Sequence, residues 1–156
     1  MCSSCMGIDS LSMSRNYLDG NAGLCVRHSD LGCGKTCFAR GFVREHVGDA
    51  ALAVTSPTYL LVNSYEVPAE RYQLFHIDLY RLDAVSSQDA AALGLEDAFA
   101  NGITLVEWPE RLDAAIAPRD RLNVHISYDE QDPTLRHVRF DPVGSRWTAA
   151  LSEPSP

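Results

Sequence analysis

The stretch SDLGCGKT, residues 29–36, constrains this chain more than any other. Gly32 and Gly34 bracket one residue and are followed by Lys35 and Thr36. That spacing marks a loop whose backbone N–H groups converge on an anion, with the ammonium reaching phosphate oxygens and the hydroxyl a divalent cation. Such a loop belongs between a strand and a helix, because the positive end of the helix dipole must open directly behind it. Both flanks are present. GLCVRH, 23–28, is a short β-like run, and from Thr36 onward Phe38, Ala39, Phe42, Val43 and Val47 recur at helical spacing, with Arg40, Arg44 and Glu45 on other faces. Ser29 stands where this pattern usually has its first glycine, so the entry turn must be made without strongly positive φ or with room for a Cβ. Arg27 and His28 are polar at the end of a strand that a central sheet position would bury.

Lysine usage sharpens the reading. The chain has 13 basic residues, and Lys35 is the sole lysine among them. A compact ammonium on a flexible stem fits between phosphates inside a tight backbone nest where a planar guanidinium does not. The loop residues Leu31, Gly32, Cys33, Gly34, Lys35, Thr36 and Cys37 are therefore the candidate nucleotide-binding set.

The remaining pattern alternates strands and helices. SPTYLLVNSYEV (56–67) and RYQLFHIDLYRL (71–82), the latter a strand ending near Asp78, read as a hairpin. Ser86 to Asp89 forms a capping box ahead of AALGLEDAF, and Asn101 with Gly102 stops that helix. ITLV, 103–106, is a fully apolar run of the kind buried in parallel sheets, and it ends in Glu107. Pro109 opens a short helical stretch to about Ala115, which Pro118 breaks. LNVHISY (122–128) pairs with LRHVRF (135–140), and SRWTAAL closes the chain as a last turn of helix. The expectation is an α/β fold, a three-layer P-loop domain with a mixed, mostly parallel central sheet. It spans 23–151, between a weakly ordered segment 1–22 and a disordered tail 152–156.

A phosphate loop that works on a triphosphate needs a carboxylate at a strand end, to touch a cation through water or to position the attacking water. Glu107, after four apolar residues, and Asp78, closing YQLFHI, both qualify. His76 is ambiguous, since a lone strand histidine is more often structural than catalytic.

Composition bounds the partners. A formal net charge of −8 disfavours unaided binding to nucleic acid, DNA included, which depends on clustered Lys and Arg. Apolar residues make up 46% and charged residues 22%, with no apolar run long enough to span a bilayer, so the expectation is a cytoplasmic protein without membrane contact. The five cysteines are odd in number and read as thiols; Cys2 and Cys5 form a CxxC, but no second pair follows at zinc spacing.

Taken together, SDLGCGKTCF, SPTYLLVNSYE, HIDLYRL, GLED and LVEWPER, in this order over about residues 23–126, resemble the TsaE (YjeE) family of P-loop ATPases. The resemblance implies ATP and Mg²⁺ as ligands. It implies TsaB and TsaD relatives as partners, in the pathway that places threonylcarbamoyl on the adenosine next to the tRNA anticodon, with tRNA reached only through the complex. By position, Lys35 and Thr36 look like the phosphate and magnesium residues, and Thr58 like the switch threonine near the γ-phosphate. Asp78 looks like a second switch acid, and Glu107 like the magnesium-linked catalytic carboxylate, with Trp108 beside the nucleotide. An indole after a buried strand is also common core packing. Two alternatives remain open. One is a small-molecule kinase, with Arg111, Arg119 and Arg121 as candidate lid arginines; the other is a docking module that binds nucleotide without turnover.

Overall fold

The computed structural model describes residues 22–28, 32–68 and 70–152. Six strands form one sheet, β1 (Ala22–His28), β2 (Val62–Glu66), β3 (Gln73–Asp78), β4 (Ile103–Glu107), β5 (Arg121–Tyr128) and β6 (Arg136–Val143), in the order β2-β3-β4-β1-β5-β6. The four inner strands β3, β4, β1 and β5 run parallel, and the two edge strands pair antiparallel to them. All residues of β4 are buried, as a strand flanked by parallel neighbours and covered on both faces must be.

Helices cover both faces. Helix α1 (Lys35–Val47) lays Phe38, Ala39, Phe42 and Val43 on Leu24, Val26, Leu105, Leu122 and Val124, and Trp147 from α4 (Ser145–Ser152) joins the same core. The opposite face carries Ile77 and Val106 against Ala90 of α2 (Ser87–Ala92) and Leu95 of α3 (Leu95–Asn101). The result is the three-layer α/β P-loop architecture. Because β1, β3, β4 and β5 are parallel, Val26, Asp78, Glu107 and Tyr128 all lie toward one edge of the sheet, where α/β ligands bind.

Several expectations change in detail. The strand expected over 56–67 is confined to 62–66, because Leu61 turns through positive φ (66°) and its carbonyl instead accepts from the Asp78 N–H at 2.9 Å. The strand within 71–82 runs Gln73–Asp78 and ends at Asp78 as expected, since the Leu79 N–H donates to the Glu107 carbonyl and the chain then turns. The single helix around AALGLEDAF is two, split at Gly94 (φ 69°), which a continuing right-handed helix does not admit. After Pro109 there is only a 3-10 turn, Pro109–Arg111. The last hairpin strand extends to Val143. Ala22 is the first residue of β1 and Ser152 the last of α4, so both belong to elements rather than to the expected loose ends; segments 1–21 and 153–156 lie outside the described residues. Despite the polar pair that follows, β1 is a central strand buried from Ala22 to Val26. Cys25, Cys33 and Cys37 are thiols, not half-cystines. Among the described residues no helix is long and apolar enough to cross a membrane.

Candidate functional site

Helix α1 begins where the glycine pattern ends. Gly34 precedes it at φ 110° and Gly32 sits at φ 79°, both in the left-handed region that L-side chains avoid. The two glycines are thus required for conformation, and they bring the loop backbone straight into a 13-residue helix whose first N–H groups have no intrahelical partner. Leu31, Ser29 and Asp30 lie outside the described residues.

Lys35 and Thr36 open α1 on the side of the strand ends. Lys35 is buried, and among the described residues no carboxylate lies within ion-pair distance of it. Its Nζ instead lies 4.8 Å from the centroid of the Trp108 ring. A buried ammonium that rests on an aromatic face, with no carboxylate beside it among the described residues, is placed to meet an anion. Cys33 is fully buried beneath the loop, and Cys37 faces partly outward one residue beyond Thr36.

Two carboxylates face this loop from adjacent strands. Asp78 and Glu107 are register partners at the ends of β3 and β4, and each is nearly inaccessible, at 3% and 1% exposure. The Thr36 hydroxyl donates to Glu107 Oε1 at 3.4 Å, and His76 Nε2 meets the same oxygen at 2.8 Å. Asp78 Oδ2 accepts from the Ser56 hydroxyl at 2.7 Å and from the Thr58 hydroxyl at 2.6 Å, while Oδ1 accepts from the Tyr80 N–H at 3.0 Å. Thr58, the SPT motif and Asp78 therefore form one cluster, and Asp78 joins it to Glu107 through the strand register. Trp108 leaves β4 with φ 63°, which throws its ring out of the sheet, 5.1 Å from the Tyr80 ring. It lines this edge and packs against the second core at once.

The residues present fit a nucleotide and a hydrated divalent cation. No cluster of three or more metal-ligating side chains occurs among the described residues. A Mg²⁺ carried on phosphates does not ask for one, because it keeps several waters and takes one or two protein oxygens. The Thr36 hydroxyl and the Glu107 carboxylate, already converging, are such a pair.

Other residues at this edge escaped the sequence reading. Ser56 shares the Asp78 oxygen with Thr58, and its place two residues earlier in the same motif was the available signal. Arg136, on β6, donates from Nε to the Cys33 carbonyl at 3.2 Å and stacks on Tyr128, with its guanidinium 3.9 Å from the ring centroid. Tyr128 in turn closes on Gly32, where an added Cβ would lie 3.4 Å from its hydroxyl. Nothing local in LRHVRF signals that contact across the sheet. The lid arginines of the kinase alternative are not assembled: Arg121 starts β5, at the sheet edge opposite the loop, and donates to the Pro118 carbonyl, with Arg119 in the preceding turn. Only Arg111 lies on the loop's side, 6.0 Å from the Trp108 ring and donating to the Asp83 carbonyl.

The sequence matches the family model for "Threonylcarbamoyl adenosine biosynthesis protein TsaE" over residues 11–138. It is 32% identical over 115 residues to the tRNA threonylcarbamoyladenosine biosynthesis protein TsaE of Rickettsia bellii (strain RML369-C), covering 74% of this chain and 76% of the relative. It is 34% identical over 125 residues to the protein of the same name from Bacillus subtilis (strain 168), covering 80% and 72%. With that of Streptomyces coelicolor it shares 30% over 128 residues, covering 81% and 84%. Its fold is similar to the crystal structure of Bacillus subtilis YdiB, with a TM-score of 0.62 and 24% identity over 91% of this chain and 82% of that one.

Proposed function

The chain belongs to the TsaE family, and from that premise we propose that it is the ATP-hydrolysing subunit in threonylcarbamoyladenosine modification of tRNA, acting with TsaB and TsaD relatives in the cytoplasm. The relatives carry the pathway in their names. The observation supporting the chemical role is the meeting of Thr36 with Glu107 beside a buried Lys35 that has no carboxylate partner among the described residues.

In this reading the loop amides at Gly32, Cys33 and Gly34, with Leu31 before them and Cys37 behind, cradle the ATP phosphates at the start of α1. Lys35 exchanges the indole face for the β- and γ-phosphate oxygens, a stronger partner for a desolvated ammonium. Thr36, with Glu107 beside it, would hold a Mg²⁺, and that ion would supply charge neutralisation on those oxygens. Glu107 accepts a hydrogen bond from the attacking water and aligns it with the γ-phosphorus. As the oxygen–phosphorus bond forms, the bond to the β–γ bridging oxygen breaks and ADP departs. Thr58 and Asp78 act as the switch pair: the hydroxyl that holds Asp78 at 2.6 Å leaves it when the γ-phosphate offers a better acceptor. Trp108 flanks the nucleotide. The acidic chain reaches tRNA through the other subunits, consistent with its net charge of −8.

Calorimetric titration of ATP into the pure protein with and without Mg²⁺, followed by phosphate release with and without TsaB and TsaD, tests this. Binding that tightens with Mg²⁺, and hydrolysis that rises with the partners, are expected. No heat at millimolar ATP, with the partners supplied, would refute it.

A further inference from the structure

Among the described residues, His76 is a fully buried histidine beside this site to which the proposed function gives no task. It sits on the α1-facing side of β3, between Leu74 and Asp78, and its strand partner across β4 is Leu105. Its Nε2 lies 2.8 Å from Glu107 Oε1, whereas the Thr36 hydroxyl reaches the same oxygen only at 3.4 Å. In the tautomer that carries its hydrogen on Nε2, the ring donates to this carboxylate oxygen. Its Nδ1 is inaccessible and finds no hydrogen-bond partner among the described residues.

A half-satisfied imidazole inside a sheet is a poor device for stability. Replacing buried polar pairs with well-packed apolar side chains is often neutral or stabilising, and the surrounding Leu74, Leu105 and Ile103 would accept one. What His76 does supply is geometry. Glu107 carries its carboxylate on a flexible side chain at the end of β4, and the short bond from His76 is the stronger of the two contacts given to its Oε1. With an inner lone pair of Oε1 occupied from beneath, the remaining lone pairs of the group are those turned toward Thr36 and the loop.

We infer that His76 is a positioning residue: its Nε2–H fixes the Glu107 carboxylate in the orientation that meets Thr36, and so determines turnover without touching nucleotide. This rests on the reading of Glu107 given above.

The test compares His76→Gln, whose amide nitrogen can replace Nε2–H, with His76→Phe, which fills the ring volume without a donor; His76→Leu serves if the Phe variant does not fold. For the full chain with TsaB and TsaD, His76→Phe is expected to lower kcat by about tenfold to a hundredfold. ATP affinity measured without Mg²⁺ should stay within about twofold, and His76→Gln should recover most of the lost rate. Equal kcat in His76→Phe and the parent, or equal loss in the Phe and Gln variants at matched thermal stability, overturns the inference. If the parent binds ATP but releases no phosphate, the hydrolytic reading fails on its own. The inference is then decided by the tightening of ATP binding on adding Mg²⁺: lost in His76→Phe and kept in His76→Gln supports it, and any other pattern overturns it.

Discussion

Asp78 and Glu107 stand opposite each other on two parallel strands, yet their carboxylates are held by separate sets of donors. Ser56 and Thr58, from the loop before β2, hold Asp78; His76 and Thr36, from within the sheet and from α1, hold Glu107. Two buried carboxyl groups on neighbouring strands each need hydrogen-bond partners of their own, and each has them. The division also implies division of labour, with one carboxylate bound to a loop and the other to a strand and a helix.

Lys35→Ala should abolish measurable ATP binding, because the loop loses its only ammonium. Glu107→Ala should bind ATP within a few-fold of the parent and lose hydrolysis by about a hundredfold or more, the range for a group that aligns the attacking water. Equal phosphate release from Glu107→Ala and the parent would remove that residue from its role.

Asp78→Ala frees the hydroxyls of Ser56 and Thr58 at once. Amide hydrogen exchange over residues 56–61 should accelerate by about an order of magnitude, as expected when a segment held by few contacts loses its anchor, while the amides of β4 keep their protection. Unchanged exchange in that loop would show that Asp78 does not hold it.

Arg136→Ala removes the donor to the Cys33 carbonyl and the stacking on Tyr128. ATP affinity should fall by about tenfold, equivalent to about 1.4 kcal/mol. Arg136→Lys should recover little of it, because an ammonium has no planar face to lay on the tyrosine. Full affinity in either variant would sever β6 from the loop's function.

Gly102→Ala tests packing alone. Its φ of −127° suits any residue, but a Cβ there would lie 2.5 Å from the Phe75 ring and 2.9 Å from the Gln73 carbonyl oxygen. The clash with backbone has no easy relief, so denaturant unfolding should show a loss of about 1–3 kcal/mol, typical of overpacking.

The capping box at α2 gives a pH prediction. The Ser86 hydroxyl and backbone N–H hold the Asp89 carboxyl below its ordinary value of 3.8. A depressed carboxylate contributes its stabilisation above its unfolded pKa and loses it as pH falls through the folded one. Helix α2 should therefore be capped at neutral pH and fray only below about pH 4. An NMR titration should show Asp89 moving back up toward 3.8 in Ser86→Ala; an unshifted Asp89 would place the cause elsewhere.

Much of this was legible because its determinants are local. The loop from Gly32 to Thr36, the buried run ahead of Glu107 and the Ser86 cap each need only their own few residues, and each stands where the spacing put it. Asp78 and Glu107 were identifiable as strand-end carboxylates, but their pairing in register was not, since it depends on the strand order. The shortened β2 was hidden by the β-forming residues Tyr59 and Leu60, which project into solvent beside Leu61. Arg136 and His76 act through contacts far apart in sequence, at separations of 103 and 31, and no local pattern encodes those.

Lysine occurs once in this chain, and it does so at a buried position on the first turn of α1. A lysine-specific endoprotease accordingly has a single peptide bond to cut, the one joining Lys35 to Thr36, and can reach it only in molecules whose phosphate loop has locally opened. The cleavage rate is therefore a one-site clock for the opening of that loop, and any ligand seated there should slow it in proportion to occupancy.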